Sequence, residues 1–115
     1  MKTIKEYALE FSEDWKQLGV KENLGMLESH LKDEISEYFC AKEPHSASKE
    51  LADIIIIANR MLLELGYDPD ESITDKASVV RKRMDLAKKI FRNTDTTLSG
   101  IESYKLAKHI LEGSL

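Results

Sequence analysis

The chain has 115 residues, of which 42% are hydrophobic and 33% charged, a composition typical of one soluble globular domain. Its formal net charge of −4 gives no basic excess for binding a phosphate backbone, so we expect no nucleic-acid partner. Glycine (5) and proline (2) are scarce, which favours long helices over a many-turned β fold. We therefore predict a single all-α domain that spans residues 1–115.

Cysteine content and hydrophobic run lengths argue against several other kinds of protein. Cys40 is the only cysteine, so neither an intrachain disulfide nor a CxxC metal site can form. Residues 1–15 lack the uninterrupted apolar core of a signal peptide. The apolar run at 51–65 is too short to cross a bilayer and carries charged side chains. We expect a cytoplasmic protein with no membrane partner.

Two helices are predicted in the first third of the chain. A capping-box pattern at residues 3–6 starts the first helix, and Gly19 marks its end. The second helix starts near Leu24 and ends near Ala41, because the segment 42–46 has turn chemistry around a proline. Apolar residues recur at helical spacing in both: Ile4, Tyr7, Ala8, Phe11, Trp15 and Leu18, then Leu24, Leu27, Leu31, Ile35 and Tyr38.

Further helices follow the proline. The third is predicted over about 47–65, with Gly66 as its C-terminal stop. The sequence DPDE at 68–71 combines an N-cap aspartate, a proline at the first helical position and a glutamate at the third, which starts a fourth helix that reaches about Phe91. Residues 101–111 fit a short fifth helix that could pack on a neighbouring subunit. The apolar face predicted for the fourth helix is Ile73, Ala77, Val80 and Met84.

Carboxylates occupy unexpected positions on the second and third helices. On a helical wheel of about 100° per residue, Glu34 lies in the middle of the hydrophobic stripe of the second helix and Glu37 at its edge. A buried, unpaired charge costs several kcal/mol, so Glu34 requires a partner. The third helix has one polar side, which is either a solvated face or the other half of a carboxylate site. That side comprises Glu50, Asp53, Ile57, Arg60 and Glu64.

A short turn between these helices favours the carboxylate site. Antiparallel packing would set Glu37 level with Glu50, and Glu34 level with Asp53. Carboxylates this close repel one another, so either some stay protonated with a raised pKa or cations fill the gap. Oxygen ligands without cysteine indicate Mg²⁺ or Mn²⁺ rather than Zn²⁺. A ferritin-like di-iron site needs Glu-x-x-His, which is absent from the sequence.

The motif DEISE at 33–37, followed after 12 residues by ELAD at 50–53, resembles the EExxE…ExxD signature of the all-α nucleoside triphosphate pyrophosphohydrolases. Within that superfamily the chain is most similar to the short MazG-like proteins, over about residues 24–83. The resemblance includes the segment GYDPDESITDK at 66–76. Asp33 stands where the family usually has glutamate.

The resemblance implies an activity and its residues. Such proteins cleave a nucleoside triphosphate, often a deoxy one, between the α and β phosphates and release the monophosphate and pyrophosphate. The residues that match the Mg²⁺ ligands are Glu34, Glu37, Glu50 and Asp53. Glu34 or Glu37 could orient the attacking water or take its proton.

Basic residues of the fourth helix extend the resemblance. Lys76 and Arg83 match the family's K…N…R pattern and could neutralise phosphate charge. Val80 stands where the family often has asparagine. The alternative is that Lys76 and Arg83 belong to a solvated basic face together with Arg81 and Lys82.

Three further side chains each have two interpretations. Trp15 either packs in the core or stacks on a nucleobase. His30 either lines a base pocket or is partly buried at its rim. Arg60 either reaches the phosphates or pairs with Glu64 or Asp53.

The third helix is apolar on more sides than a small four-helix bundle-like subunit can cover, which predicts an oligomer. The resemblance implies a homodimer or a dimer of dimers, with pockets completed by a neighbouring chain. Two functions remain open at this point. One is a Mg²⁺-dependent nucleoside triphosphate pyrophosphohydrolase that cleans or regulates a nucleotide pool. The other is a non-enzymatic helical oligomer that acts as an interaction module.

Overall fold

The computed structural model describes residues 1–93, 95 and 97–113, and in this part of the chain it contains α-helices and no strand. The prediction of an all-α protein is confirmed. The helices are α1 (Ile4–Gln17), α2 (Leu24–Cys40), α3 (Pro44–Glu64), α4 (Pro69–Arg92) and α5 (Gly100–Leu111). No helix within the described ranges is both long enough and apolar enough to cross a membrane.

Contacts divide the chain into two compact units, Met1–Glu71 and Ser72–Leu115, and each is described by itself. In the first unit, α2 packs extensively on α3, and α1 also packs on α3. Each of its three helices contributes a buried apolar side chain to the core, namely Ala8, Leu27 and Ile57. The third helix is therefore the central element of this unit.

Local capping explains where the first two helices begin. Thr3 Oγ1 accepts the backbone N–H of Glu6 at 3.1 Å, and the Glu6 carboxylate accepts the N–H of Thr3 at 3.4 Å, so the predicted capping box is present. Gly19 follows α1 with a φ of 78°, which a residue with a side chain rarely adopts. Asn23 caps α2 by accepting the N–H of Met26 at 2.9 Å.

The predicted start of the third helix is wrong by one turn, because α3 begins at Pro44 and not near Ala47. Proline is compatible with the first helical position, where its missing N–H would have no intrahelical partner. The N–H of Ala47 donates to the carbonyl of Glu43 at 3.0 Å, which closes the first turn. The connection between α2 and α3 therefore shrinks to residues 41–43.

The start of α4 agrees with the DPDE pattern. Asp68 Oδ1 accepts the N–H of Asp70 at 2.9 Å, and Pro69 is the first helical residue. Asp68 Oδ2 also accepts from Lys5 Nζ at 2.9 Å, which ties the beginning of α1 to the end of the first unit. The Lys5 ammonium, and then the Asp70 N–H, lower the pKa of the Asp68 carboxyl below its usual value.

In the second unit, the buried face of α4 differs in part from the predicted one, since only Ala77 and Val80 of the predicted face are half-buried. Ile73 and Met84 are 55% and 47% exposed, whereas Arg83 and Ala87 are buried. The face includes an arginine because Arg83 Nη2 donates to Glu112 Oε1 at 3.2 Å, which supplies the opposite charge. On α5, Ser99 forms a capping box with Glu102, and the residues fully buried are Ser103 and Ala107.

Candidate functional site

Three carboxylates meet where α2 packs on α3. Glu34 comes from α2, and Glu50 and Asp53 come from the first half of α3. One oxygen from each lies within 4.8 Å of the others. The three-residue connection folds α3 back along α2, and the i,i+3 spacing puts Glu50 and Asp53 on the same side of their helix. We call Glu34, Glu50 and Asp53 the carboxylate cluster.

Glu34 is the buried member of the cluster, with 9% of its surface exposed. Its Oε2 atom and the Oε2 atom of Glu50 are buried and have no hydrogen-bond partner among the described residues. Buried polar atoms without partners are rare in native proteins, because each loses its hydration without compensation. The two oxygens therefore mark a place where a cation or a proton would be stabilising.

The electrostatic environment of Glu34 opposes its ionisation. Burial first, and then the neighbouring Glu50, Asp53 and Glu37 carboxyls, raise its pKa from 4.5 to about 8. Protonation of Glu34 therefore relieves the repulsion among the carboxylates in the metal-free protein. Glu37 is exposed and is not one of the three clustered residues, but its carboxyl is close enough to contribute to this shift.

His30 and Trp15 lie beside the cluster. His30 Nε2 is 3.3 Å from Glu34 Oε1, one helical turn away on α2. Both His30 and Trp15 line a cavity of about 230 Å³ that also reaches Glu34 and Asp53. Trp15 is 36% exposed, so its ring is at a cavity wall and not buried in the core. His30, with a side chain 42% exposed, is at the rim of this cavity.

Of the two interpretations of Arg60, pairing with Glu64 or Asp53 is wrong, and contact with phosphates stays a prediction. Within the described ranges its salt bridge is with Glu22, in the α1–α2 connection, and not with Glu64 or Asp53. Only 5% of Arg60 is exposed, although it lines the same cavity as Glu34 and Asp53. The polar side of α3 is therefore not a uniformly solvated face.

Lys76 and Arg83 belong to the second unit. Lys76 is exposed on α4, as are Arg81 and Lys82. Arg83 is 7% exposed and paired with Glu112, so it does not belong to a solvated basic face. Any contact of Lys76 or Arg83 with phosphate stays a prediction.

Two charged residues have no distinguishing pattern in the sequence: Glu22, which pairs with Arg60, and Asp14, which lines the cavity. Glu22 lies between helices, where periodicity carries no information about burial. Asp14 lines the cavity next to Trp15. In the sequence it lies off the apolar stripe of α1, which is typical of an ordinary surface residue. The sequence provides no separate signal for either position.

The donor set has a definite chemical preference. Carboxylate oxygens are hard ligands that suit Mg²⁺, Mn²⁺ or Ca²⁺, and no sulfur ligand is near. The unpartnered oxygens of Glu34 and Glu50 fit such an ion, which would remove the repulsion among the three carboxylates. An aromatic wall and an imidazole beside the cluster provide room for an organic group next to the ion. Comparisons with protein-family models, with curated proteins and with solved structures each find no match to the chain.

Proposed function

We propose that the chain is a Mg²⁺-dependent pyrophosphohydrolase of nucleoside triphosphates, of the MazG-like type that its motifs resemble. The observation that carries the proposal is Glu34, which is buried, has an unpartnered oxygen and lies within 4.8 Å of carboxylate oxygens of Glu50 and Asp53. Burial of this carboxylate beside two others is energetically costly, so a purely structural helix pair would not be expected to contain it.

The proposed metal ligands are Glu34, Glu37, Glu50 and Asp53, with Mn²⁺ as a possible substitute for Mg²⁺. When bound, the ion neutralises phosphate charge and lowers the pKa of a bound water. Glu34 or Glu37 orients the attacking water or takes its proton. Water adds to phosphorus, the bond between the α and β phosphates breaks, and the products are a monophosphate, often deoxy, and pyrophosphate.

The cavity supports a substrate with a flat organic group. Its volume of about 230 Å³ accommodates a nucleobase, and it shares Trp15, His30 and Arg60 with a second cavity of about 450 Å³. Trp15 offers a face for stacking, and His30 offers a polar edge at the rim. The triphosphate would then extend toward the carboxylates. The resemblance alone proposes Lys76, whose side chain is exposed on α4, as a residue that neutralises phosphate charge.

An oligomer is part of the proposal, as a homodimer or a dimer of dimers of four-helix bundle-like subunits. Large apolar side chains are exposed on α2 and α3, among them Phe39 (79%), Ile55 (47%) and Leu51 (43%). Exposed large apolar side chains are a feature of many protein interfaces. A cytoplasmic location would give such an enzyme access to the nucleotide pool.

The test is a product assay on a panel of ribonucleoside and deoxyribonucleoside triphosphates, canonical and modified, with and without Mg²⁺. Products are separated by ion-exchange chromatography. We expect monophosphate and pyrophosphate, and we expect Glu34→Gln and Asp53→Asn to lose them. Glu28→Gln is the matched control, because Glu28 is exposed on the same helix as Glu34.

The other outcomes discriminate between functions. Diphosphate and phosphate as products would keep the metal site and reject the proposed reaction. No turnover, together with no effect of Mg²⁺ on thermal stability, would favour the non-enzymatic interaction module.

A further inference from the structure

The cavity beside the carboxylate cluster contains a buried cation that the proposed hydrolysis does not use. Arg60 is 95% covered and its Nη2 pairs with Glu22 Oε1. Its Nε has no hydrogen-bond partner among the described residues. A guanidinium is a rigid fork of N–H donors with no acceptor, so Glu22 leaves donor capacity unused.

Charge at the cavity argues against a phosphate as the partner of Arg60. Asp14 and Asp53 both line this cavity, and Glu22 already neutralises the guanidinium. An anionic group that entered would meet more negative than positive charge. A neutral acceptor, such as a carbonyl oxygen, avoids this repulsion and can still accept from the guanidinium.

The remaining walls suit a planar ring that carries such a carbonyl. Phe11 and Trp15 supply aromatic surface from α1, and Ile56 and Ile57 supply aliphatic surface from α3. Aromatic side chains stack on any base, so they contribute affinity without selecting one. The polar groups must then select the base, and Arg60 is the buried cationic donor among them.

We propose that Arg60, held by Glu22, is a specificity residue that donates to a ring carbonyl of the nucleobase. The inference rests on the proposed function, because it assigns the base of that nucleotide to this cavity. Arginine donates to the O6 and N7 acceptors of guanine, whereas adenine presents an amino donor in place of O6. The amino group of adenine would then face the N–H donors of Arg60 without an acceptor between them. The site would therefore bind adenine less tightly than bases with a ring carbonyl.

Inosine and adenosine triphosphates test this directly, because their purine frames match and they differ at the carbonyl or amino group on C6. Trp15 is the only tryptophan and lines the cavity, so its fluorescence reports occupancy without any turnover. With Mg²⁺ present, we expect the inosine nucleotide to bind about tenfold or more tightly than the adenosine nucleotide. Cytidine triphosphate, a smaller base with a ring carbonyl, is titrated alongside.

Arg60→Lys is the variant that isolates the guanidinium fork, because lysine keeps the charge beside Glu22 and loses the planar donors. We expect it to reduce the preference over adenosine triphosphate by about tenfold, with the helical circular dichroism unchanged. Arg92→Lys is the matched control, since Arg92 is exposed at the end of α4. If Arg60→Lys does not fold, the wild-type comparison of the two purine nucleotides still decides.

Equal binding of adenosine, inosine and cytidine triphosphates by the wild-type chain would overturn the inference. A preference that survives in Arg60→Lys would overturn it as well. Pyrophosphate release from every nucleotide at similar rates would leave the proposed function intact while removing this role of Arg60. Selective binding without pyrophosphate release would support the role of Arg60 and contradict the proposed hydrolysis. If no nucleotide changed the fluorescence and none was hydrolysed, both the proposed function and the role of Arg60 would be contradicted.

Discussion

His30 Nε2 lies 3.3 Å from Glu34 Oε1, whereas Glu34 Oε2 has no hydrogen-bond partner among the described residues. The two oxygens of one carboxylate thus have different surroundings. A donor from His30 would hold Oε1 and fix the orientation of the carboxyl group. Oε2 would then be presented to an ion shared with Glu50 and Asp53.

Substitution of His30 should therefore affect metal binding. We expect His30→Ala to weaken Mg²⁺ binding by about 10- to 100-fold, the usual effect of losing a side chain that orients a ligand. His30→Gln keeps an N–H donor at a similar distance and should lose much less. Isothermal titration with Mg²⁺ measures both. Equal losses in the two variants would mean that the imidazole, rather than its donor, is required.

The stability of the metal-free protein should fall as pH rises from about 4.5 to 8. The pKa of Glu34 is raised from 4.5 to about 8 in the folded chain, mainly by burial. The folded state therefore binds more protons than the unfolded state in this window, and the free energy of unfolding decreases with pH. Urea denaturation in EDTA at several pH values measures this, and Glu34→Gln should flatten the dependence.

Mg²⁺ should offset that loss of stability, because the ion replaces the proton on Glu34 and binds more tightly as pH rises. At ten times its dissociation constant the ion would add about 1.4 kcal/mol. Thermal unfolding at pH 8 with and without Mg²⁺ gives the comparison. An unchanged Tm over millimolar Mg²⁺ would contradict the metal site.

Loss of Glu22 should destabilise the first unit strongly. Glu22→Gln would leave Arg60 buried without its counter-charge, which costs about 3–5 kcal/mol in comparable buried pairs. Glu64→Gln, at an exposed position on α3, should stay within about 0.5 kcal/mol of wild type. Denaturant unfolding of both variants checks this. Similar effects at the two positions would mean that the buried pair contributes no more than a surface charge.

We expect Lys76 to contribute to activity and Arg83 to contribute to stability. Lys76 is exposed, so Lys76→Met should leave stability nearly unchanged and reduce kcat/KM for a nucleoside triphosphate by about tenfold. Arg83 is buried against Glu112, so Arg83→Met should lower the unfolding free energy of the second unit. Thermal unfolding and steady-state kinetics on the same preparations distinguish them. A large kinetic effect of Arg83→Met without destabilisation would reverse the assignment.

The number and order of the helices could be predicted from the sequence, because most of their start and stop signals are local. The capping box at residues 3–6, Gly19 after α1 and the DPDE start of α4 each act within one turn of chain. The proximity of Glu34 to Asp53 was also predictable, since two i,i+3 motifs across a short connection leave one close arrangement. The metal and the reaction assigned to these residues stay predictions.

Which charged side chains are buried, and which residues they pair with, depends on the tertiary structure. Arg60 contacts Glu22 and Arg83 contacts Glu112, and each pair joins residues on different elements. Helical periodicity places a side chain on a face of its own helix but carries no information about what another segment brings to that face. The energy of a buried charge depends on that distant partner. Arg60 and Arg83 consequently look like surface residues in the sequence and are buried ion pairs in the fold.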